Sequence, residues 1–259
     1  MVKDGQLRIF VLADVDGQDS CRLHAYDVGA DRWAEMGMFP VRDAWLTTID
    51  DRIYLLGGDR EVYAFDKEVR HLTAKAKMPL ALFDSAMVAC RGLLFVFGGA
   101  NWVSSSKTYR ISAGAYCYDP ARNVWKNLAP MPTARSKCRA CVGLDGLIYV
   151  VGGCGGNLDE AGKRVDAYNI QTNQWQSKGV KSTGRAKMGL VRLEDKLYAV
   201  AGSVATCGGV LATERYDPEA NRWEPCEPAF PLQCDMHCAV VPRSIAWKNM
   251  QRSNPDDRG

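Results

Sequence analysis

The chain has 259 residues, 47% of them apolar, with 33 basic against 30 acidic side chains and a formal net charge of +3. This is enough apolar mass for one large core, and too little net charge to argue for nucleic acid or an anionic membrane as a partner. No apolar run of about eighteen residues is present to cross a bilayer, the opening MVKDGQ lacks the apolar stretch of a signal peptide, and the ten cysteines then fit reduced thiols in a cytoplasmic protein.

In chain order, one kind of strand is continuously apolar and ends at small residues. Residues 7–12 form the first, followed by Ala13-Asp14. Residues 52–56 run into Gly57-Gly58, 93–97 into Gly98-Gly99, 147–151 into Gly152-Gly153, and 197–201 into Gly202-Ser203. Such runs fit strands covered on both faces, and a diglycine lets the backbone turn sharply out of them. A second kind of strand ends in an aromatic followed by an acid or amide: Tyr26-Asp27, Phe65-Asp66, Tyr118-Asp119, Tyr168-Asn169 and Tyr216-Asp217. Seven residues beyond each aromatic stand Trp33, Leu72, Trp125, Trp175 and Trp223, which mark an outer strand. Asp119-Pro120 and Asp217-Pro218 are turn signals between these two strands. Small apolar stretches at 45–49, 86–90, 138–142, 188–192 and 237–241 suit innermost strands lining a narrow channel.

The aromatics recur at intervals of 39, 53, 50 and 48 residues. A period near fifty with this content predicts an all-β propeller of four-stranded blades, because no single unit can bury its own apolar faces. Five strands of each kind give five blades over residues 1–247, with the C-terminal strand at 237–241 completing blade 1 and closing the ring. Residues 248–259, polar and charged, are expected to form a disordered tail.

Diglycine, aromatic-acid pair and spaced Trp in several copies resemble the kelch repeat over roughly residues 7–242. The Met-Pro pairs Met78-Pro79 and Met131-Pro132, the second followed by Arg135, are most similar to the kelch-like proteins that carry BTB domains. The resemblance implies a propeller, and usually one of six blades in those proteins. A piece of a longer ring cut at the same phase would show the same strand counts, so that reading stays open beside the closed ring of five.

Loops after the diglycines are where a propeller carries its recognition residues. The second blade has almost none. The third has residues 100–112, with Trp102, Tyr109 and Arg110; the fourth has 154–163, preceding Arg164; the fifth has 203–213. Trp102 lies outside every repeat position, in a polar loop, which suits an interface anchor as well as it suits a cap on its own blade. Arg42, Arg135 and Arg185 lie just after outer strands, in the links to the next innermost strands. The resemblance places these links on the same face as the diglycine loops. Arginines converging there would hold carboxylates bidentately; the competing reading is that they brace neighbouring blades. The candidate partner-binding set is Arg42, Trp102, Tyr109, Arg135, Arg164 and Arg185.

Cys138 and Cys141 have the spacing of a metal or redox pair, with Cys234, His237 and Cys238 as the nearest second pair. On a strand that spacing points the two thiols to opposite faces, so no metal is expected. Cys138 between Lys137 and Arg139 is a candidate reactive thiol, against the plainer reading of a buried one. A copper-oxidase propeller needs several His and Tyr ligands, whereas this chain offers only His24, His71 and His237; neither a Gly-x-Ser-x-Gly elbow nor a phosphate loop appears. The expectation is therefore a module without cofactor or catalysis that binds a protein segment, acidic by the arginine argument. The resemblance implies substrate recognition for a cullin-3 ubiquitin ligase where a BTB region is supplied elsewhere. A copper-oxidase-like enzyme and an actin-binding scaffold are the alternatives.

Overall fold

The structure, a computed structural model, describes residues 8–14, 20–27, 29–41, 44–50, 52–66, 70–155, 162–181, 183–203 and 212–227. The expected closing strand at 237–241 and the tail from 248 lie outside them. Within them the chain is an all-β propeller of five blades.

Blade 1 contains β1 (Arg8–Asp14), β2 (Cys21–Asp27) and β3 (Arg32–Phe39) in that spatial order. Blade 2 runs outward from β4 (Trp45–Ile49) through β5 (Arg52–Leu56) and β6 (Val62–Asp66) to β7 (His71–Ala74). Blade 3 begins with β8 (Ala86–Cys90) and β9 (Leu93–Phe97). A separate hairpin follows, β10 (Ala100–Val103) with β11 (Thr108–Ile111), before β12 (Ala115–Asp119) and β13 (Val124–Asn127) complete the blade. Blade 4 is β14 (Arg139–Val142), β15 (Ile148–Val151), β16 (Val165–Asn169) and β17 (Gln174–Ser177). Blade 5 is β18 (Gly189–Leu193), β19 (Lys196–Val200), β20 (Thr213–Asp217) and β21 (Arg222–Cys226). Successive innermost strands β4, β8, β14 and β18 touch around the axis.

The apolar strands behave as their composition requires. Along β9, Leu94 and Val96 enter the core shared with blade 2, beside Tyr54, Leu56 and Tyr118. Phe95 and Phe97 enter the core shared with blade 4, beside Ile148, Val150 and Tyr168. A strand serving two cores needs apolar residues at both parities, and each fully buried one contributes roughly 1.5–3 kcal/mol.

The third strands of all five blades run one residue past the aromatic, onto the acid or amide. That side chain caps the turn: Asp119 Oδ1 accepts from the Ala121 and Arg122 N–H groups at 2.9 and 3.2 Å, and Asn169 and Asp217 repeat the pattern. The left-handed residue of each turn is Asp31, Arg70, Asn123, Asn173 or Asn221, all with φ between 50 and 56°.

Candidate protein-binding face

The diglycines exist because the next blade's link passes over them. A Cβ on Gly98 would lie 2.2 Å from the Arg135 carbonyl, and one on Gly152 would lie 2.4 Å from that of Arg185. Gly99 N–H donates to the Arg135 carbonyl at 2.8 Å, and Gly153 N–H to the Arg185 carbonyl at 3.0 Å. Bridges Phe83 to Ala100, Ser136 to Cys154 and Ala186 to Ser203 join each link to the loop of its own blade. Links and diglycine loops thus form one face. Around the axis of that face Lys137 N–H donates to the Asp84 carbonyl and Lys187 N–H to the Lys137 carbonyl, at 2.7 and 3.0 Å.

The arginines of these links do not reach the surface, which corrects the expectation that they converge on a partner. Arg135 is 0% exposed; it donates to Asp166 Oδ2 at 2.7 Å and to the Arg164 carbonyl at 3.3 Å. Arg185 is equally buried, donating to Glu214, to the Ala212 carbonyl and, at 3.2 Å, to the Ala201 carbonyl. Their backbones dock on the preceding blade while their side chains tie down their own third strand, so they brace the ring. Val41 and Leu82 fill the corresponding places in blades 2 and 3. Arg42 lies outside the described residues. Arg164 is part-exposed, its Nε 3.9 Å from Asp166 Oδ2.

The loop 100–112 is not irregular: β10 and β11 pair so that Trp102 stands opposite Tyr109. The rings meet at 5.0 Å with Trp102 48% and Tyr109 61% exposed. Phe83 packs edge-on against Tyr109 at 6.0 Å and wedges over Gly58, where a Cβ would lie 2.5 Å from its ring. An aromatic stack therefore rises from the ring of blades to solvent, and Trp102 is held by it without being buried. The alternation in Asn-Trp-Val and Thr-Tyr-Arg-Ile carried this hairpin signal. The same face carries exposed Lys107, Arg110 and Lys163 and part-exposed Lys137, Arg164 and Lys187, with Asp84 the acidic member among the described residues of these links and loops in blades 3 to 5. A cavity of about 280 Å³ opens on the same face beside blade 2, lined by Pro40, Val41, Gly57, Gly58, Asp59 and Glu61.

Cys138 is fully buried against blade 3, where burial pushes its thiol up despite Arg135 and Arg139, in line with the plainer reading of a buried thiol. Cys141 packs instead toward blade 5, on the opposite side of the sheet, as strand alternation requires. His24 and His71 sit on β2 and β7, in different blades.

Residues 9–202 match the family model described as the KLHDC2/KLHL20/DRC7 Kelch-repeats domain. The chain belongs to the kelch-repeat family. It is 26% identical to Kelch-like protein 36 of Rattus norvegicus over 92% of this chain and 40% of that protein. It is 29% identical to Kelch-like protein 23 of Homo sapiens over 85% of this chain and 39% of that protein. It thus spans about two fifths of the length of these relatives. A solved structure titled "Structure of YjhT" superposes with a TM-score of 0.65 at 20% identity, covering 75% of this chain and 68% of that one, which shows the fold. Within this kelch propeller, no helix of the described residues is long and apolar enough to cross a membrane.

Proposed function

We propose that this kelch propeller is a protein-interaction module that grips a segment of another protein on the diglycine face, in the cytoplasm and without catalysis or cofactor. The Trp102–Tyr109 pair carries the reading. Two large aromatics stand clear of every repeat position, exposed yet stacked on Phe83, and aromatics in that setting anchor interfaces. Lys107, Arg110, Lys163 and Arg164 on the same face favour a segment carrying carboxylates or phosphates, and exposed cations of this kind act chiefly on association rate and specificity. Because the relatives are kelch-like proteins, the finer proposal is substrate recognition for a cullin-3 ubiquitin ligase, with a BTB region supplied outside these residues. Affinity capture with the wild type, Trp102→Ala/Tyr109→Ala and Lys107→Glu/Arg110→Glu tests the face. Both variants are expected to lose the same partners at an unchanged thermal transition. Partners retained equally by all three proteins would remove this face from consideration.

A further inference from the structure

Blades 4 and 5 each keep a guanidinium in the space between their link and their third strand, and blade 2 keeps a cavity there. Arg135 stands four residues before β14, Arg185 four before β18, and Val41 four before β4. Across from them, Asp166 and Glu214 stand two residues before the repeat tyrosines Tyr168 and Tyr216, as Tyr63 stands two before Phe65. The backbone around the space follows one plan. Gly57 N–H donates to the Glu61 carbonyl at 2.9 Å, as Gly152 N–H donates to the Arg164 carbonyl at 2.9 Å. Gly57 directly follows β5 as Ala201 directly follows β19. These are the carbonyl positions that hold the arginines: Arg135 donates to Arg164 at 3.3 Å, and Arg185 donates to Ala201 at 3.2 Å and to Ala212, which matches Arg164 in register.

In blade 3 the same place holds Leu82 and Tyr116 in one core. In blade 2 the link contributes only a valine. Val41 is buried, yet it is shorter than Arg135 or Arg185 by a whole guanidinium. The cavity of about 280 Å³ remains, lined by Val41, Gly57, Gly58, Asp59, Glu61 and Tyr63 among others. That volume suits one long side chain and falls below the roughly 300–1,000 Å³ of small-molecule sites. Asp59 is exposed and Glu61 part-exposed, with Lys77 Nζ 2.9 Å from Glu61 Oε1; an exposed pair of that kind is weak. Arg60, between the two acids, donates to the Met78 carbonyl at 2.5 Å. Gly58 also lies under Phe83, so the cavity opens at the foot of the Phe83–Tyr109–Trp102 stack.

We propose that the blade 2 cavity is a guanidinium site that takes one arginine side chain of the protein segment gripped on this face, an inference that rests on the face reading for its occupant. The partner's arginine supplies there what Arg135 and Arg185 supply from within. Its fork donates to the carbonyls of Gly57 and Glu61, and the carboxylates of Asp59 and Glu61 balance its charge. Arginine fits better than lysine, because a planar fork serves a carbonyl and a carboxylate at once and is less strongly hydrated. The segment then carries a cation at its blade 2 end and acidic groups over the basic loops of blades 3 and 4.

The probe is Nα-acetyl-arginine amide, observed by saturation-transfer difference NMR, with Nα-acetyl-citrulline amide as its neutral counterpart. The wild type is expected to saturate the arginine probe, most strongly at its guanidinium end, and not the citrulline one. Val41→Arg places a guanidinium in the cavity from within, as blades 4 and 5 do, and abolishes the response. Asp59→Asn/Glu61→Gln weakens the affinity by about tenfold, the worth of a hydrogen bond to a charged group. The inference is overturned by no response to the arginine probe, by an equal response to citrulline, or by an unchanged response in either variant. It is also overturned by a response that appears only in Arg42→Ala, which would mean that the chain's own Arg42 takes the place. Where Val41→Arg does not fold, Asp59→Asn/Glu61→Gln decides, since both changes are at residues that reach solvent. Affinity capture separates this inference from the reading it rests on. Partners lost by Trp102→Ala/Tyr109→Ala and kept by Val41→Arg leave the face standing and overturn the arginine. Partners lost by Val41→Arg and kept by Trp102→Ala/Tyr109→Ala leave the arginine standing and remove the aromatic anchor. Partners kept by both variants overturn the two together.

Discussion

Blades 3 and 5 make the same backbone joint with opposite chemistry. In blade 3 the link residue is Leu82, which shares one core with Tyr116 of the third strand and with buried Met78 of the same link. In blade 5 the corresponding pair is Arg185 and Glu214, fully desolvated, and the same link buries Lys181 where Met78 and Met131 stand in the other links. Lys181 Nζ meets Met188 Sδ at 3.2 Å, while Glu214, the carboxylate that acts on it, is already held by Arg185. Burial, and then Arg185, hold its amine well below the usual lysine range. The ring thus tolerates either solution, because what the joint demands is a filled volume. Only the ionic one makes its stability depend on partners and on pH.

The largest effect follows from breaking a buried pair. Asp166→Ala leaves the Arg135 guanidinium desolvated and uncompensated and is expected to cost about 3–5 kcal/mol in denaturant unfolding. A loss below 1 kcal/mol would mean the pair is solvated in solution. Transplanting the pair of blade 3, as Arg185→Leu with Glu214→Tyr, should leave stability unchanged or raise it by about 1–4 kcal/mol, since an ion pair is exchanged for apolar contacts of similar volume. A large loss would show that the ionic seam supplies something the apolar one cannot.

Lys181→Met copies the apolar links directly. The unfolded chain binds a proton at Lys181 that the folded one resists, so the native state is most stable above the ordinary lysine pKa of about 10.4 and loses stability as pH falls toward the folded value. The variant should therefore melt higher at neutral pH and show a flatter dependence between neutral and alkaline pH; parallel melting curves across that range would refute the assignment. Trp175→Phe removes the bond between blades from Trp175 Nε1–H to the Ala129 carbonyl, 2.8 Å long, at an expected cost of about 0.5–1.5 kcal/mol. Smallest of all, Trp102→Ala is expected to shift stability by no more than about 0.5 kcal/mol, because the ring already stands in solvent. A larger loss would make Trp102 a cap on its blade and leave the partner-binding proposal without its anchor.

The repeat itself was legible in the chain because its chemistry is local and periodic. Diglycine, aromatic-acid pair and Trp report the turns and the two-sided burial of each sheet, and β4, β5, β8 and β9 start and stop where the apolar pattern does. The spacing of Cys138 and Cys141 likewise separated them onto opposite sides of one sheet. What only the tertiary structure decided is direction. Arg135 and Arg185 look like surface cations in the sequence, since a link between blades is ordinarily exposed, and nothing near them announces that Asp166 and Glu214, about thirty residues on, wait inside. Trp33 and Trp125 are likewise the same letter in the same register, one largely open to solvent and the other donating to the Ala76 carbonyl of the preceding blade's link. Burial and pairing across the ring are properties of the assembled blades, and a single stretch of chain carries no record of what will be laid against it.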